Sequence, residues 1–235
     1  MLKKWKLLCL FVVIATVLVA CNEEENETSS ALEEEVQEVH TLTLEEARQT
    51  TEDLYTEIMN SMTAYMEQHE LDAGMATEQQ IDEMVGNLTL FATAEMMNGE
   101  LRQIAALHCI GCEPYMYVYL MNVASFVRGE VEQVSATELK MTNYSHPNYM
   151  FGGLPLKHET TLVYVDEQWK LANDTREETV LNLTEEEALI VANNYLFENP
   201  RVAGVEVNEA GTTIYVIESD TGIVRIDAST GSESY

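Results

Sequence analysis

The chain has 235 residues, room for one or two small domains rather than a large multidomain enzyme. Apolar residues make up 46% of it, enough for a packed core, while 12 Lys and Arg stand against 41 Asp and Glu, a formal net charge of −29. That balance repels a phosphate polymer and argues against nucleic acid as a partner; it repels anionic lipid headgroups too, so any hold on a membrane must be covalent or hydrophobic.

The N-terminus supplies such a hold. Lys3, Lys4 and Lys6 form a cationic start, and Leu7 to Ala20 is an apolar run of 14 residues, shorter than the roughly 20 a spanning helix needs. The run ends in Leu18-Val19-Ala20-Cys21, which resembles the bacterial lipobox: an aliphatic residue three before a cysteine and a small residue just before it. The resemblance implies a lipoprotein signal peptide over 1–20, cut before a Cys21 that carries diacylglyceryl and palmitate-type lipid. An uncleaved anchor helix is the alternative. Two acyl chains hold a protein at a bilayer where one would not. Loss of the three leader lysines leaves nine basic residues against 41 acids, a net of −32. The expected localisation is the extracytoplasmic face of the cell membrane, lipid-anchored.

Residues 21–42 then form the lipidated cysteine and an acidic tether. Between Asn22 and Leu42 there are eight glutamates and hardly any large apolar residue, so disorder is expected. At ~3.5 Å per residue such a tether reaches about 70 Å.

Folding is expected to begin at Thr43. Thr43 with Glu46 has the spacing of a capping box, and Leu44, Ala47, Leu54, Tyr55, Ile58, Met59, Met62 and Met66 trace one helical face, with Gly74 as its end. Thr77 with Gln80 caps a second helix carrying Ile81, Met84, Val85, Leu88 and Phe91, and a third runs from about Thr93 to Leu107. Most of the 12 methionines fall on these stripes, which favours core packing over an adaptable groove.

The Cys109-Ile110-Gly111-Cys112 turn follows. With Cys9 in the leader and Cys21 lipidated, these are the remaining thiols, and a structural disulfide between helix and sheet is expected. Thiol–disulfide exchange is the alternative, although this motif closes a helix instead of opening one. Two thiols are half a zinc site with no His-x₃-His to complete it, and Glu113 stands where haem attachment needs histidine. Tyr115 to Leu120 alternates like a strand, while Pro114 suits a helix start; both readings stay open. Strands are expected at about 129–145, 157–166 and 168–174, with Gly152, Gly153 and Pro155 at a turn. Helices followed by antiparallel strands make an α+β domain over 43–180, its helices packed on a curved, cone-like sheet.

Near Asn182 a second unit begins. Thr184 to Glu187 caps a helix bearing Ala188, Leu189, Val191, Ala192, Tyr195 and Leu196, and Asn199-Pro200 breaks it. Strands at Val202–Val207, Thr212–Glu218 and Gly222–Asp227 are separated by Asn/Gly and Asp/Gly turns, giving a small helix-plus-antiparallel-strands unit over 183–235.

The order of helices then strands, with Leu162-Val163-Tyr164-Val165-Asp166-Glu167-Gln168-Trp169-Lys170-Leu171 as penultimate strand, acidic turn and last strand, resembles the nuclear-transport-factor-2-like superfamily. That implies a cone whose mouth holds a small ligand or a partner. Enzymatic members place Asp–His or Tyr–Asp pairs inside, but no motif here assigns such a role. Residues 183–235 resemble a PepSY domain through Thr184-Glu185-Glu186-Glu187-Ala188, the strand around Ile214 to Ile217, and Val224-Arg225-Ile226-Asp227-Ala228-Ser229-Thr230-Gly231. That implies a unit that binds or restrains peptidases.

Tyr115, Tyr117, Tyr119, Tyr144 and Tyr149, with Phe151 and Trp169, are candidate ligand-binding residues, with plain sheet packing as the competing account. The histidines His40, His69, His108, His146 and His158 are expected to be solvated or capping. The glutamate runs lack a calcium-loop geometry, and phosphate-loop, nucleophile-elbow and zinc-protease motifs are absent from the sequence. The expectation is a non-enzymatic binding or accessory module for a surface protein, peptide or peptidase, with no cofactor or metal; a redox lipoprotein using Cys109 and Cys112 is the alternative.

Overall fold

Among the described residues three Thr-x-x-Glu/Gln boxes start helices, and each closes both of its hydrogen bonds. The computed structural model describes residues 39–71, 76–107, 125–147, 153–195 and 197–234. The leader, Cys21, the tether to residue 38, Cys109, Cys112, Tyr115, Tyr117, Tyr119, Tyr149 and Phe151 lie outside the described residues.

Helix α1 spans Leu44–Gln68, capped by Thr43 and Glu46, and buries Ala47, Thr51, Tyr55, Ile58, Met62, Tyr65 and Met66. These fall every three or four residues, so one face meets the core. The helix ends at Gln68, six residues before the expected Gly74, with Glu70 taking a left-handed conformation at φ 52°. The chain is tied down slightly before the cap: His40 donates its N–H to the Ala136 carbonyl and stacks on Tyr164 at 3.7 Å. Helix α2 spans Glu78–Gly86, capped by Thr77 and Gln80. A short α3 (Ala94–Met96) runs into a π-helical turn, Met97–Leu101, and then α4 (Arg102–Leu107). Arg102 reaches back to Glu78 and Asp82 and clips this helix to α2.

The region expected as one strand over 129–145 is two: β1 (Phe126–Ser135) and β2 (Glu138–Ser145), turning at Ala136 and Thr137. With β3 (Leu156–Val165) and β4 (Gln168–Glu178) they form an antiparallel meander in the order β1-β2-β3-β4. The β3–β4 turn places both Asp166 (φ 56°) and Glu167 (φ 64°) in the left-handed region, the backbone of a type I′ hairpin. Phe91 and Thr93 bond to Leu171 at 2.9 Å each, laying the segment before α3 along β4. The helices cover one face of this sheet, where Met62, Met84, Leu88, Leu139, Met141, Leu162 and Leu171 are wholly or almost wholly buried.

Pairing of β3 with β4 slips between Leu162↔Leu171 and Thr161↔Asn173, so Ala172 is an inserted residue, a β-bulge. Side chains alternate with period two, so one extra residue exchanges the faces beyond it. Leu171 is buried, Asn173 is exposed, and Asp174 is buried again. The bulge therefore turns Asp174 and Arg176 towards the helices.

Helix α5 (Glu185–Asn194), capped by Thr184 and Glu187, packs on a second antiparallel sheet ordered β5 (Arg201–Val207), β6 (Thr213–Ser219), β7 (Gly222–Asp227). Its core joins Leu183, Ala188, Val191, Ile217, Val224 and Ile226 to Val127 from β1. Arg128 donates to Glu187 at 2.8 Å and to the Leu181 carbonyl at 2.6 Å, with its guanidinium over the Tyr144 ring. Gly231, at φ 73°, lies so close to His146 that a Cβ there would sit 2.8 Å from the histidine's own. Among the described residues no helix is long and apolar enough to cross a membrane.

Candidate functional site

Inward-facing positions on β2, β3 and β4 are apolar at one end of the sheet and polar at the other. The polar end carries Asn143, Ser145, His158, Thr160, Asp174 and Arg176, with Arg48 and Tyr55 facing them from α1. Asn143, Ser145, His158, Thr160 and Asp174 are each at most 5% exposed, so every hydrogen bond they lack has a cost.

Asp174 is well provided for. Tyr55 donates to Oδ2 at 2.6 Å, Thr160 to Oδ1 at 3.0 Å, and Arg176 to Oδ2 at 2.7 Å. Arg176 also reaches Glu100, which the π-helical turn presents, at 3.4 Å. Burial raises the Tyr55 phenol well above its usual range, and Asp174 and Glu100 add to that. Burial, then Asp174, lifts the Glu100 carboxyl to about 7, opposed by Arg176. Burial favours loss of the Arg176 proton, but Asp174, Tyr55 and Glu100 outweigh it and the guanidinium is held more firmly charged.

Beside Asp174 sits a second set of buried polar groups. Arg48 donates Nε–H to Asn143 Oδ1 at 2.8 Å and lies over the Phe126 ring at 5.3 Å. Phe126 in turn meets His158 edge to face, and His158 is the direct cross-strand partner of Asn143. Gly129 makes room for this: a Cβ there would come within 2.2 Å of Asn143 Oδ1 and 2.7 Å of Arg48 Nη2. Ser145 Oγ and His158 Nε2 are hydrogen bonded at 3.0 Å. Burial, then Arg176, lowers the imidazole to about 4 against the pull of Asp174, so it is neutral at pH 7. Arg48 Nη2, Asn143 Nδ2 and His158 Nδ1 are buried with no hydrogen-bond partner.

None of these residues was singled out as a site from the sequence. The available signal was a polar residue at a position whose phase is apolar: Arg48 one residue after Ala47 on the α1 stripe, and His158 and Thr160 in phase with Leu162 on β3. The expectation of solvated histidines is corrected for His146 and His158, each 5% exposed. His146 donates Nδ1–H to the Pro147 carbonyl and accepts from Asn194 at Nε2, holding α5 to the first sheet.

Of the sequence-derived ligand candidates, two are among the described residues, and they are apart. Tyr144 faces α5 beneath Arg128, whereas Trp169 packs against the first core and edges onto Tyr164. Neither belongs to the polar cluster. Among the described residues no group of three or more His, Cys, Asp or Glu is arranged to hold a metal ion.

The fold and site together describe an α+β protein whose helix–sheet interior holds a buried polar cluster. Set against known proteins, the chain matches no family model, no curated protein and no solved structure.

Proposed function

We propose that this chain is a lipoprotein, held at the outer face of the membrane through Cys21, that acts as a non-enzymatic binding module for a surface peptide, protein or peptidase. The observation that carries the binding reading is the group of unspent hydrogen-bonding atoms on Arg48, Asn143 and His158. A core serving stability alone is expected to satisfy such atoms or replace them with apolar groups. Nearby Asp174 has three donors committed to it and so lacks the freedom of a general base.

The order of α1, α2 and α3–α4 followed by the four-stranded meander supports a nuclear-transport-factor-2-like, cone-like domain. A capped helix followed by three antiparallel strands ending in Asp227-Ala228-Ser229-Thr230-Gly231 supports a PepSY-like unit. The high negative charge leaves the lipid as the means of attachment. The test is membrane fractionation and partner capture with the parent and with Cys21→Ala. The parent is expected in the membrane fraction and the variant in the soluble extracytoplasmic fraction. Both should recover the same surface protein or peptide. Persistent membrane association of the variant, or capture of nothing by either, contradicts the reading.

A further inference from the structure

Nine basic side chains lie among the described residues. Eight of them, Arg102, Arg128, Lys140, Lys157, Lys170, Arg176, Arg201 and Arg225, are ion-paired with Asp or Glu. In a chain with 41 acids that outcome is unsurprising, and the ninth is therefore informative. Arg48 has no ion pair among the described residues, yet its Nη2 is buried. Burial disfavours its charge, and the group that restores some of it is Glu45, one turn earlier on α1, by field and not by contact. A half-buried guanidinium with no carboxylate in contact is a place where an anion from elsewhere would be stabilised.

The surroundings fit one kind of anion. Arg48, Asn143 and His158 are joined through the Arg48–Asn143 bond, the Asn143↔His158 cross-strand pair and the Phe126 ring, which touches both Arg48 and His158. The Arg48–Asn143 bond fixes the amide with Oδ1 towards the guanidinium, leaving Nδ2 as a free donor. When the Ser145 hydroxyl donates to His158 Nε2, the neutral ring carries its proton on Nδ1, a third free donor. One cation and two neutral donors match a single negative charge spread over two oxygens. Phosphate, with a larger charge, would leave an excess buried negative charge next to Asp174 and Glu100.

We propose that Arg48, Asn143 and His158 form a carboxylate-binding site, with Arg48 Nη2 as its cationic donor and Phe126 as its apolar wall. The carboxylate comes from a free small acid or from the C-terminus of a peptide. This rests on the binding-module reading above and names its ligand class.

The test uses the full-length chain in detergent. Acetate, acetyl-dialanine and acetyl-dialanine amide are each titrated against chloride at matched ionic strength. The melting temperature and the side-chain ¹⁵N–¹H signals of Arg48 and Asn143 are followed. A carboxylate is expected to shift both signals and to raise the melting temperature by roughly 3–6 °C at tenfold its dissociation constant. Acetate alone acting supports a free acid; the acetyl-dialanine acid acting with its amide silent supports a peptide terminus. Asn143→Asp, which supplies an internal carboxylate beside Arg48, should fold and lose the response, and Arg48→Met should lose it too. Unmoved Arg48 and Asn143 signals at 100 mM of every probe overturn the proposal even if partner capture succeeds. So does an undiminished response in Asn143→Asp. Success here with failed partner capture would instead remove the surface-partner reading and leave the site.

Discussion

The Tyr55 hydroxyl donates to Asp174 Oδ2 at 2.6 Å, tying the middle of α1 to the last strand of the first sheet across 119 positions of sequence. Because Asp174 also balances Arg176, the two sides of this contact are not equivalent. Tyr55→Phe removes one donor from a carboxylate that keeps two, and is expected to cost about 1–3 kcal/mol. Asp174→Ala takes the nearer of two carboxylates from a largely buried guanidinium, leaving Glu100 at 3.4 Å, and should cost about 3–5 kcal/mol. Urea unfolding monitored by circular dichroism measures both; equal losses would show that the charge on Asp174 contributes little.

The Gly129 backbone runs close against the Arg48–Asn143 pair. Gly129→Ala puts a methyl group 2.2 Å from Asn143 Oδ1 and 2.8 Å from the Thr142 carbonyl, and backbone cannot swing aside as a side-chain tip can. A loss of about 1–3 kcal/mol is expected, with displacement of the Arg48 Nε signal. A variant as stable as the parent, with that signal unmoved, would contradict the tight approach.

Glu167 holds a left-handed conformation in the β3–β4 hairpin without being glycine or asparagine. Glu167→Gly converts the turn to Asp-Gly, the favoured type I′ pair, and relieves about 1 kcal/mol of backbone strain. Part of that gain is offset by glycine's greater freedom in the unfolded chain, so a rise of 1–3 °C or so in melting temperature is expected. A fall would show that the Glu167 side chain contributes more than its backbone costs.

Glu100 and His158 bend the stability profile in opposite directions. Glu100, lifted from 4.5 to about 7 chiefly by burial, keeps its proton in the fold over a range where the unfolded chain loses it. Stability is therefore full below pH 4.5 and declines as pH rises through 7. With 31% of the side chain exposed, screening reduces this to about 1 kcal/mol. Glu100→Gln should match the parent near pH 4.5 and exceed it above pH 7. His158, lowered from 6.5 to about 4 chiefly by burial, makes the fold lose stability as pH falls between those values. His158→Gln should flatten that acid limb. Denaturant midpoints at pH 4.5, 6 and 8 decide both, and parallel profiles for parent and variants would refute the assignment.

Arg128 ties β1 to α5 through Glu187 and to the preceding connection through the Leu181 carbonyl, and Gly231 seats the last turn on His146. Arg128→Met leaves Glu187 as a largely buried acid without its cation. Gly231→Ala adds a methyl group against His146 at a left-handed backbone position. Each is expected to lower stability by about 1–3 kcal/mol and to separate the unfolding of the second sheet from that of the first. A single transition with an unchanged denaturant slope in both variants would mean that the sheets stay coupled through other contacts.

The local half of this architecture was legible in the sequence. Thr43, Thr77 and Thr184 cap the helices where their Glu or Gln partners predict, because a capping box is complete within four residues. The three C-terminal strands fall within a residue or so of their expected bounds, since Asn208, Gly211 and Gly222 impose turns that need no distant partner. The first hairpin has no such mark: Ala136 and Thr137 carry no turn signature, and β1 and β2 read as one stretch.

Composition and short-range pattern thus determined the α+β class, the helix starts and most strands, each set by neighbours a few residues apart. The polar interior was decided by tertiary structure alone. Ala172 bulges out of the pairing of β4 with β3, and that one inserted residue carries Asp174 and Arg176 to the inner face. Arg48 meets Asn143 across 95 positions of sequence, and Gly129 matters because both converge on it. Register and convergence belong to the packed sheet, whose side chains change face with each single-residue slip, so no local pattern could have announced them.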